Sequence, residues 1–200
     1  MIMTEHLARV EKKRKIAWGI TGSGDRLPET IDIMKKIREQ YQNEVDLRIF
    51  LSKSGELVLR WYKLLDPLKQ NFEKVLVELN SNSPFLAGDL EVGKFEFLLI
   101  APATSNTVAK IAAGITDTLL CNSAIMALKA FVPVYIMPSD YKEGTLITKL
   151  PNGKDLKLRV RKEDAENTRK LSLMDNVFLL EKPEDIRGVL KKHFSLKRQG

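Results

Sequence analysis

Residues 95–101, Phe-Glu-Phe-Leu-Leu-Ile-Ala, constrain the chain more than any other stretch. Toward its end this segment is apolar on both faces, so a strand built from it has no side to offer water. It belongs in the middle of a parallel sheet, and parallel strands need crossover helices that cover both faces. The rest of the chain supplies that alternation. Residues 15–20 predict a buried strand, residues 21–25 a Gly-rich turn, and Pro28 opens a helix with Ile31, Met34 and Ile37 on one face. Residues 45–51 predict a second strand, and residues 56–65 and 68–79 predict helices. A helix over 106–113 stops at Gly114, another covers 119–129, and 132–137 is a strand. Residues 145–160 differ: Asn152-Gly153 predicts a two-residue hairpin turn, followed by alternating Leu156, Leu158 and Val160. A helix over 163–172, a strand over 177–180 and a helix over 183–192 complete the pattern. The expectation is one α/β domain, its parallel sheet helix-covered on both faces, with a late β-hairpin.

Bulk properties remove several function classes. The 200 residues suffice for a sizeable core. No run approaches the ~20 apolar residues of a membrane span. Charges begin at Glu5, and Glu11-Lys-Lys-Arg-Lys15 occupies the place of a leader's apolar region, so no secretory signal is expected. Cys121 is the single cysteine, which excludes an intrachain disulfide and a Cys-rich metal cluster. A cytoplasmic location is the simplest expectation. The net charge is +7, partly placed at the ends in Lys12 to Lys15, Lys191, Lys192, Lys197 and Arg198. A solvated basic surface explains this charge, and so does attraction to an acidic protein or anionic cofactor. Nucleic acid is not expected, because no recognition motif and no basic stretch interleaved with aromatics is present.

Ligands of such sheets bind where the strands end. After the first strand come Thr21, Gly22, Ser23 and Gly24. Glycines admit an anion close to the backbone, hydroxyls donate to phosphate oxygens, and a helix start adds N–H groups. A plain tight turn is the alternative. The sequence is neither Gly-x-Gly-x-x-Gly nor a P-loop. After the second strand come Ser52, Lys53 and Ser54, where a dinucleotide site carries an acidic residue for the ribose; hydroxyls suit a phosphate better, or else cap a helix. After the strand of residues 95–101 come Ala101, Pro102, Ala103, Thr104, Ser105, Asn106 and Thr107. Small residues there leave room for a flat ring, and Thr104, Asn106 and the backbone N–H groups can meet a heterocycle's edge.

Residues 101–120, Ala-Pro-Ala-Thr-Ser-Asn-Thr-Val-Ala-Lys-Ile-Ala-Ala-Gly-Ile-Thr-Asp-Thr-Leu-Leu, closely resemble the signature of the homo-oligomeric flavin-containing cysteine decarboxylase superfamily. The Gly-rich turn and Ser52 fall in the same order, so the likeness covers roughly residues 15–140. The resemblance implies a Rossmann-like, doubly wound FMN domain over residues 1–200, with a C-terminal hairpin and helices in 141–192. It places Thr21, Gly22, Ser23, Gly24, Ser52 and Ser54 at the phosphate, and Ala101 to Thr107 with Asn122 at the isoalloxazine. FMN in this superfamily sits between subunits of a trimer. The decarboxylases use a mid-chain histidine and a Pro-x-Met-Asn-x-x-Met-Trp clamp. This chain has only His6 and His193, and its late strand runs into Met137-Pro-Ser-Asp-Tyr141. Flavin prenyltransferases carry a lysine where Asn106 stands. Trp18-Gly-Ile-Thr-Gly, the late hairpin and Arg161-Lys-Glu-Asp-Ala-Glu-Asn167 resemble instead the archaeoflavoprotein and dihydromethanopterin reductase branch.

The expected function is therefore electron transfer by bound FMN, with no catalytic side chain and no metal. Backbone N–H groups of Ala103 to Thr107 are expected at the ring's pyrimidine edge, and an acidic redox protein such as a ferredoxin is the expected donor. A phosphopantothenoylcysteine-type decarboxylase or a flavin prenyltransferase with an atypical site is the alternative. Trp18, Trp61 and Tyr62 can stack on a flavin or pack in a core or interface. Cys121 can approach the flavin or serve as a small buried hydrophobe.

Overall fold

The computed structural model describes residues 12–194. Glu5, His6, Glu11, Lys197 and Arg198 lie outside the described residues. Six parallel strands form the main sheet: β1 (Arg14–Ile20), β2 (Val45–Leu51), β3 (Val75–Val77), β4 (Leu98–Ala103), β5 (Val134–Pro138) and β8 (Val177–Leu179), in the order β3-β2-β1-β4-β5-β8. β6 (Gly144–Lys149) and β7 (Asp155–Val160) pair antiparallel as a separate hairpin between β5 and the helix that follows. The sheet is doubly wound, with the strand order of a Rossmann fold and its topological switch between β1 and β4.

The two faces bury different residues of the same strands. On one face, Ile16, Trp18 and Ile20 of β1 pack with α1 (Leu27–Gln40), α2 (Lys53–Trp61), α3 (Leu65–Asn71) and α8 (Asp185–Phe194). On the other, Ala17, Leu98 and Ile100 pack with α4 (Leu86–Glu91), α5 (Ser105–Ala112), α6 (Leu119–Lys129) and α7 (Lys162–Ser172). Leu98, Leu99, Ile100 and Ala101 are all fully buried, as a central strand without a polar face requires. Close packing sets Gly19: a Cβ there would stand 2.7 Å from Leu120 Cδ2 of α6.

Two local expectations are corrected. The helix expected over 68–79 ends at Asn71, because Phe72 turns extended (φ −131°, ψ 125°) and packs edge-on against Trp18. Val75 and Val77 then extend β2's edge as β3, where β-branched residues fit the pleat. The hairpin turn has three residues rather than two. Gly153 N donates to Leu150 O and Leu150 N to Lys154 O, so Pro151 and Asn152 form a turn and Gly153 takes the left-handed position at φ 80°.

Candidate functional site

The carboxyl ends of four strands are laced together by short polar side chains. Thr21 N and Thr21 Oγ1 both donate to Pro102 O, at 3.2 and 2.8 Å, and Thr104 N donates back to Thr21 Oγ1 at 2.8 Å. Trp18 Nε1 donates to Ala101 O at 2.7 Å. Ser52 N donates to Ile20 O, and Ser139 N to Ala103 O. Ser139 Oγ donates to Ser23 Oγ at 2.6 Å. β1 is thereby tied to β2, β4 and β5 at the switch point.

This lacing sorts the residues expected at the site. Thr21 is buried and its hydroxyl is fully engaged within the protein. Ala101, Pro102 and Ala103 are buried, with Ala101 facing one core and Ala103 the other. Ser52 caps α2 by accepting from Gly55 N at 2.9 Å, and Thr104 caps α5 by accepting from Thr107 N. Asn122 donates to Ser81 O and Asn82 Oδ1, both at 3.0 Å, and so holds the loop after β3. Trp18 belongs to the core, whereas Trp61 is 59% exposed beside Tyr62. Cys121 is buried, and burial pushes its thiol up, which keeps it unreactive.

What remains open is a set of backbone donors. The N–H groups of Gly22, Gly24, Ser54, Ser105 and Asn106 meet no acceptor among the described residues. Gly22 brings its loop against the start of α2, where a Cβ would come within 2.7 Å of Ser54 Cβ. Tyr62 lies across Gly24 in the same way. The glycines serve close approach between loops, which leaves N–H groups from the β1 turn and from α2 side by side, an arrangement suited to a phosphate. Ser105 and Asn106 contribute the free amino end of α5 on the other side of the switch point.

Sequence reasoning missed Glu78, which is only 7% exposed. Its Oε2 accepts from Lys53 N at 3.3 Å and its Oε1 from Leu119 N at 3.0 Å, so one carboxylate caps α2 and α6 together. Its signal is faint: an acid directly after the apolar Val75-Leu-Val77. The hairpin's contribution was missed as well. Tyr62 Oη donates to Lys149 O at 2.7 Å, and leucines of the hairpin roof a cleft of about 280 Å³. Gly22 to Asp25 form one border of this cleft, Trp61 and Tyr62 another, and Ser105, Ser139 and Asp140 a third. Burial raises the carboxyl pKa of Asp25 against the opposing charge of Arg26; it raises that of Asp140 against a hydrogen bond from Ser105. A larger concavity, about 610 Å³, opens where β1 and β2 begin, between Lys12, Lys15, Arg38 and Lys74; it lies away from every strand's carboxyl end. His193 also sits away from the site, with Nε2 2.9 Å from Tyr135 Oη. No metal-binding group of His, Cys, Asp or Glu occurs among the described residues, and no helix there is long and apolar enough to cross a membrane.

Fold and loops together define a doubly wound α/β protein with a mononucleotide-type crevice at its switch point. The sequence matches the Flavoprotein family over residues 4–179, and the chain belongs to that family. It is 52% identical over 185 residues to an uncharacterized protein of Methanocaldococcus jannaschii, covering 92% of this chain and 98% of that one. It is 32% identical to the dihydromethanopterin reductase (acceptor) of the same organism, covering 86% of this chain and 94% of the relative. Among solved structures it is similar to Burkholderia xenovorans DmrB in complex with FMN, described as a cubic protein cage for redox transfer. That likeness has a TM-score of 0.77 and 32% identity, and covers 93% of this chain and 98% of that one. The dihydromethanopterin reductase side of the resemblance drawn from the sequence thus holds.

Proposed function

We propose that this chain is a single-domain FMN-dependent oxidoreductase that takes electrons from a reduced donor and delivers them to a pterin-class acceptor. One observation carries the reading: N–H groups of three loops, at Gly22 and Gly24, at Ser54, and at Ser105 and Asn106, that have no acceptor among the described residues converge on one switch point. Donors at the start of a nine-residue helix suit a phosphate dianion. Donors at the start of α5 suit the pyrimidine edge of a flavin, where negative charge builds on reduction. When bound, FMN supplies the redox chemistry. Ser52, Ser54 and the Gly-rich turn would hold its phosphate, with Thr104, Ser105 and Asn106 at its ring. Thr21 keeps those loops in register, and the hairpin excludes water from above. The names of the relatives support this reading, since one is a dihydromethanopterin reductase and another binds FMN.

Assembly and donor belong to the same proposal. Leu57, Leu79, Phe85 and Ile115 are between 47% and 69% exposed, all on segments that leave the strands' carboxyl ends. Apolar side chains there suit a trimer-based homo-oligomer with FMN near subunit interfaces. The chain's net charge of +7 suits an acidic donor such as a ferredoxin, in the cytoplasm. A decarboxylase or prenyltransferase has less support, because no lysine or arginine among the described residues lines the cleft to grip a carboxylate or diphosphate.

Purified protein should be yellow and release FMN on denaturation. Reduced ferredoxin should bleach it anaerobically, more slowly as salt rises. Colourless protein that takes up no added FMN overturns the flavin reading, and a rate indifferent to ionic strength overturns the acidic donor.

A further inference from the structure

The cleft under the β6–β7 hairpin shares Gly22, Gly24, Thr104 and Ser105 with the loops read as holding FMN, and the rest of its lining has a chemical bias that neither phosphate binding nor flavin binding explains. Its volume of about 280 Å³ suits a bicyclic ring rather than a dinucleotide. Val58 and the hairpin leucines give it apolar walls, and Trp61 and Tyr62 an aromatic edge. Two carboxyl groups, Asp25 and Asp140, line it with no lysine or arginine beside them in the lining, although the chain as a whole carries +7. The two differ in what they already hold. Asp25 Oδ2 lies 3.7 Å from Arg26 Nε, and Thr148 lies close enough to lower its pKa as well. Ser105 lies close enough to Asp140 to lower its pKa, while the nearby Arg161 is committed to Asp164 at 2.7 Å.

An ionised carboxylate only accepts hydrogen bonds. Beside its two carboxylates the cleft favours a ring that presents paired N–H donors over an anion, whereas its Gly22 and Gly24 border is the phosphate side. The pyrimidine edge of a flavin presents one N–H between two carbonyl oxygens, which sets carbonyl lone pairs against those of the carboxylate. A 2-amino-4-oxopteridine presents its N3–H and 2-amino group side by side, which matches the two oxygens of one carboxylate. We propose that the cleft is the bay for the reducible substrate, a pterin-type heterocycle, and that Asp140 accepts both donors of its aminopyrimidine edge while Trp61 and Tyr62 flank the ring. This rests on the reading of the chain as an FMN-dependent reductase and adds the group that recognises the substrate.

The test compares two probes on FMN-loaded protein by calorimetry: 6-methyl-7,8-dihydropterin and its 2-oxo counterpart, 6-methyl-7,8-dihydrolumazine. Wild-type protein should favour the dihydropterin by about 10-fold or more, the loss expected when a charge-assisted pair is left unmade. Asp140→Asn should remove most of that preference while FMN content stays the same. Equal binding of the two probes by wild type, or a preference that survives Asp140→Asn, overturns the bay. Should Asp140→Asn fail to fold, the comparison of probes on wild type decides alone. Wild-type protein that takes up no FMN defeats the flavin reading instead, and the same probe comparison on that protein still decides the bay.

Discussion

The Thr21 hydroxyl donates to the Pro102 carbonyl oxygen at 2.8 Å, joining the ends of two strands 81 residues apart in the chain. The Thr21 hydroxyl oxygen in turn accepts from Thr104 N, so one buried hydroxyl fixes the position from which α5 starts. Thr21→Val keeps the shape and removes both bonds, leaving the Thr104 N–H without its partner. A loss of about 1–3 kcal/mol is expected in chemical denaturation. FMN should also dissociate faster, because Ser105 and Asn106 follow directly. Thr21→Ser should restore most of both. A Thr21→Val protein as stable as wild type would show that the lacing contributes nothing.

Glu78 gives a second test of how the loops are held. Glu78→Ala removes the acceptor of Lys53 N at α2, which keeps its Ser52 cap, and of Leu119 N at α6; the expected loss is about 1–2 kcal/mol, with typical caps contributing about 1 kcal/mol each. Glu78→Gln keeps one acceptor oxygen and should lose less. The check is the unfolding midpoint at neutral pH, with the slope of the transition unchanged.

His193 predicts a pH dependence remote from the site. Burial chiefly, with help from Lys192 and Arg14, lowers its pKa in the folded protein. The unfolded chain, at about 6.5, then binds more protons than the folded one. Stability should therefore fall as pH drops below about 6.5 and level off beneath the folded value. His193→Phe should flatten that slope in denaturation curves taken across the acid range. It should leave FMN content untouched, since His193 contacts Tyr135 and Phe97 rather than any strand's carboxyl end.

The sheet was legible because burial on both faces leaves a plain mark: residues 97–101 carry no polar side chain, and Trp18 and Ile100 lie in continuous apolar runs. The edge was less legible. Leu68 and Phe72 are spaced like a helical stripe and both are buried, yet the second packs from extended backbone against Trp18. In the hairpin, Pro151 pre-sets the first turn position, which moves Gly153 one place later than a two-residue turn would have it. At the site, the turn of Thr21 to Gly24 could be found from its glycines, but not that Thr21 would spend its hydroxyl on Pro102. Glu78 leaves only the faint mark of an acid after an apolar run, and the cleft leaves none. Tyr62 meets Lys149 across 87 residues and Glu78 meets Leu119 across 41, and pairings so distant leave no periodic mark of who meets whom.

Asp140 should show a trade between stability and recognition. Burial raises its pKa in the folded protein, and the nearby Asp164 charge adds to this against Ser105 and Arg161. A raised carboxyl pKa means that the folded state holds its proton more tightly than the unfolded chain does. Its contribution to stability is thus fully present below about pH 4, the ordinary aspartate value, and is lost as pH rises through the folded value. Once ionised, the group weighs against the fold. Asp140→Asn should accordingly raise the melting temperature at pH 7, with the gain shrinking as pH falls toward 4. A variant less stable than wild type at pH 7 would mean that the carboxylate is held by its neighbours for the sake of the fold rather than kept open for a ligand.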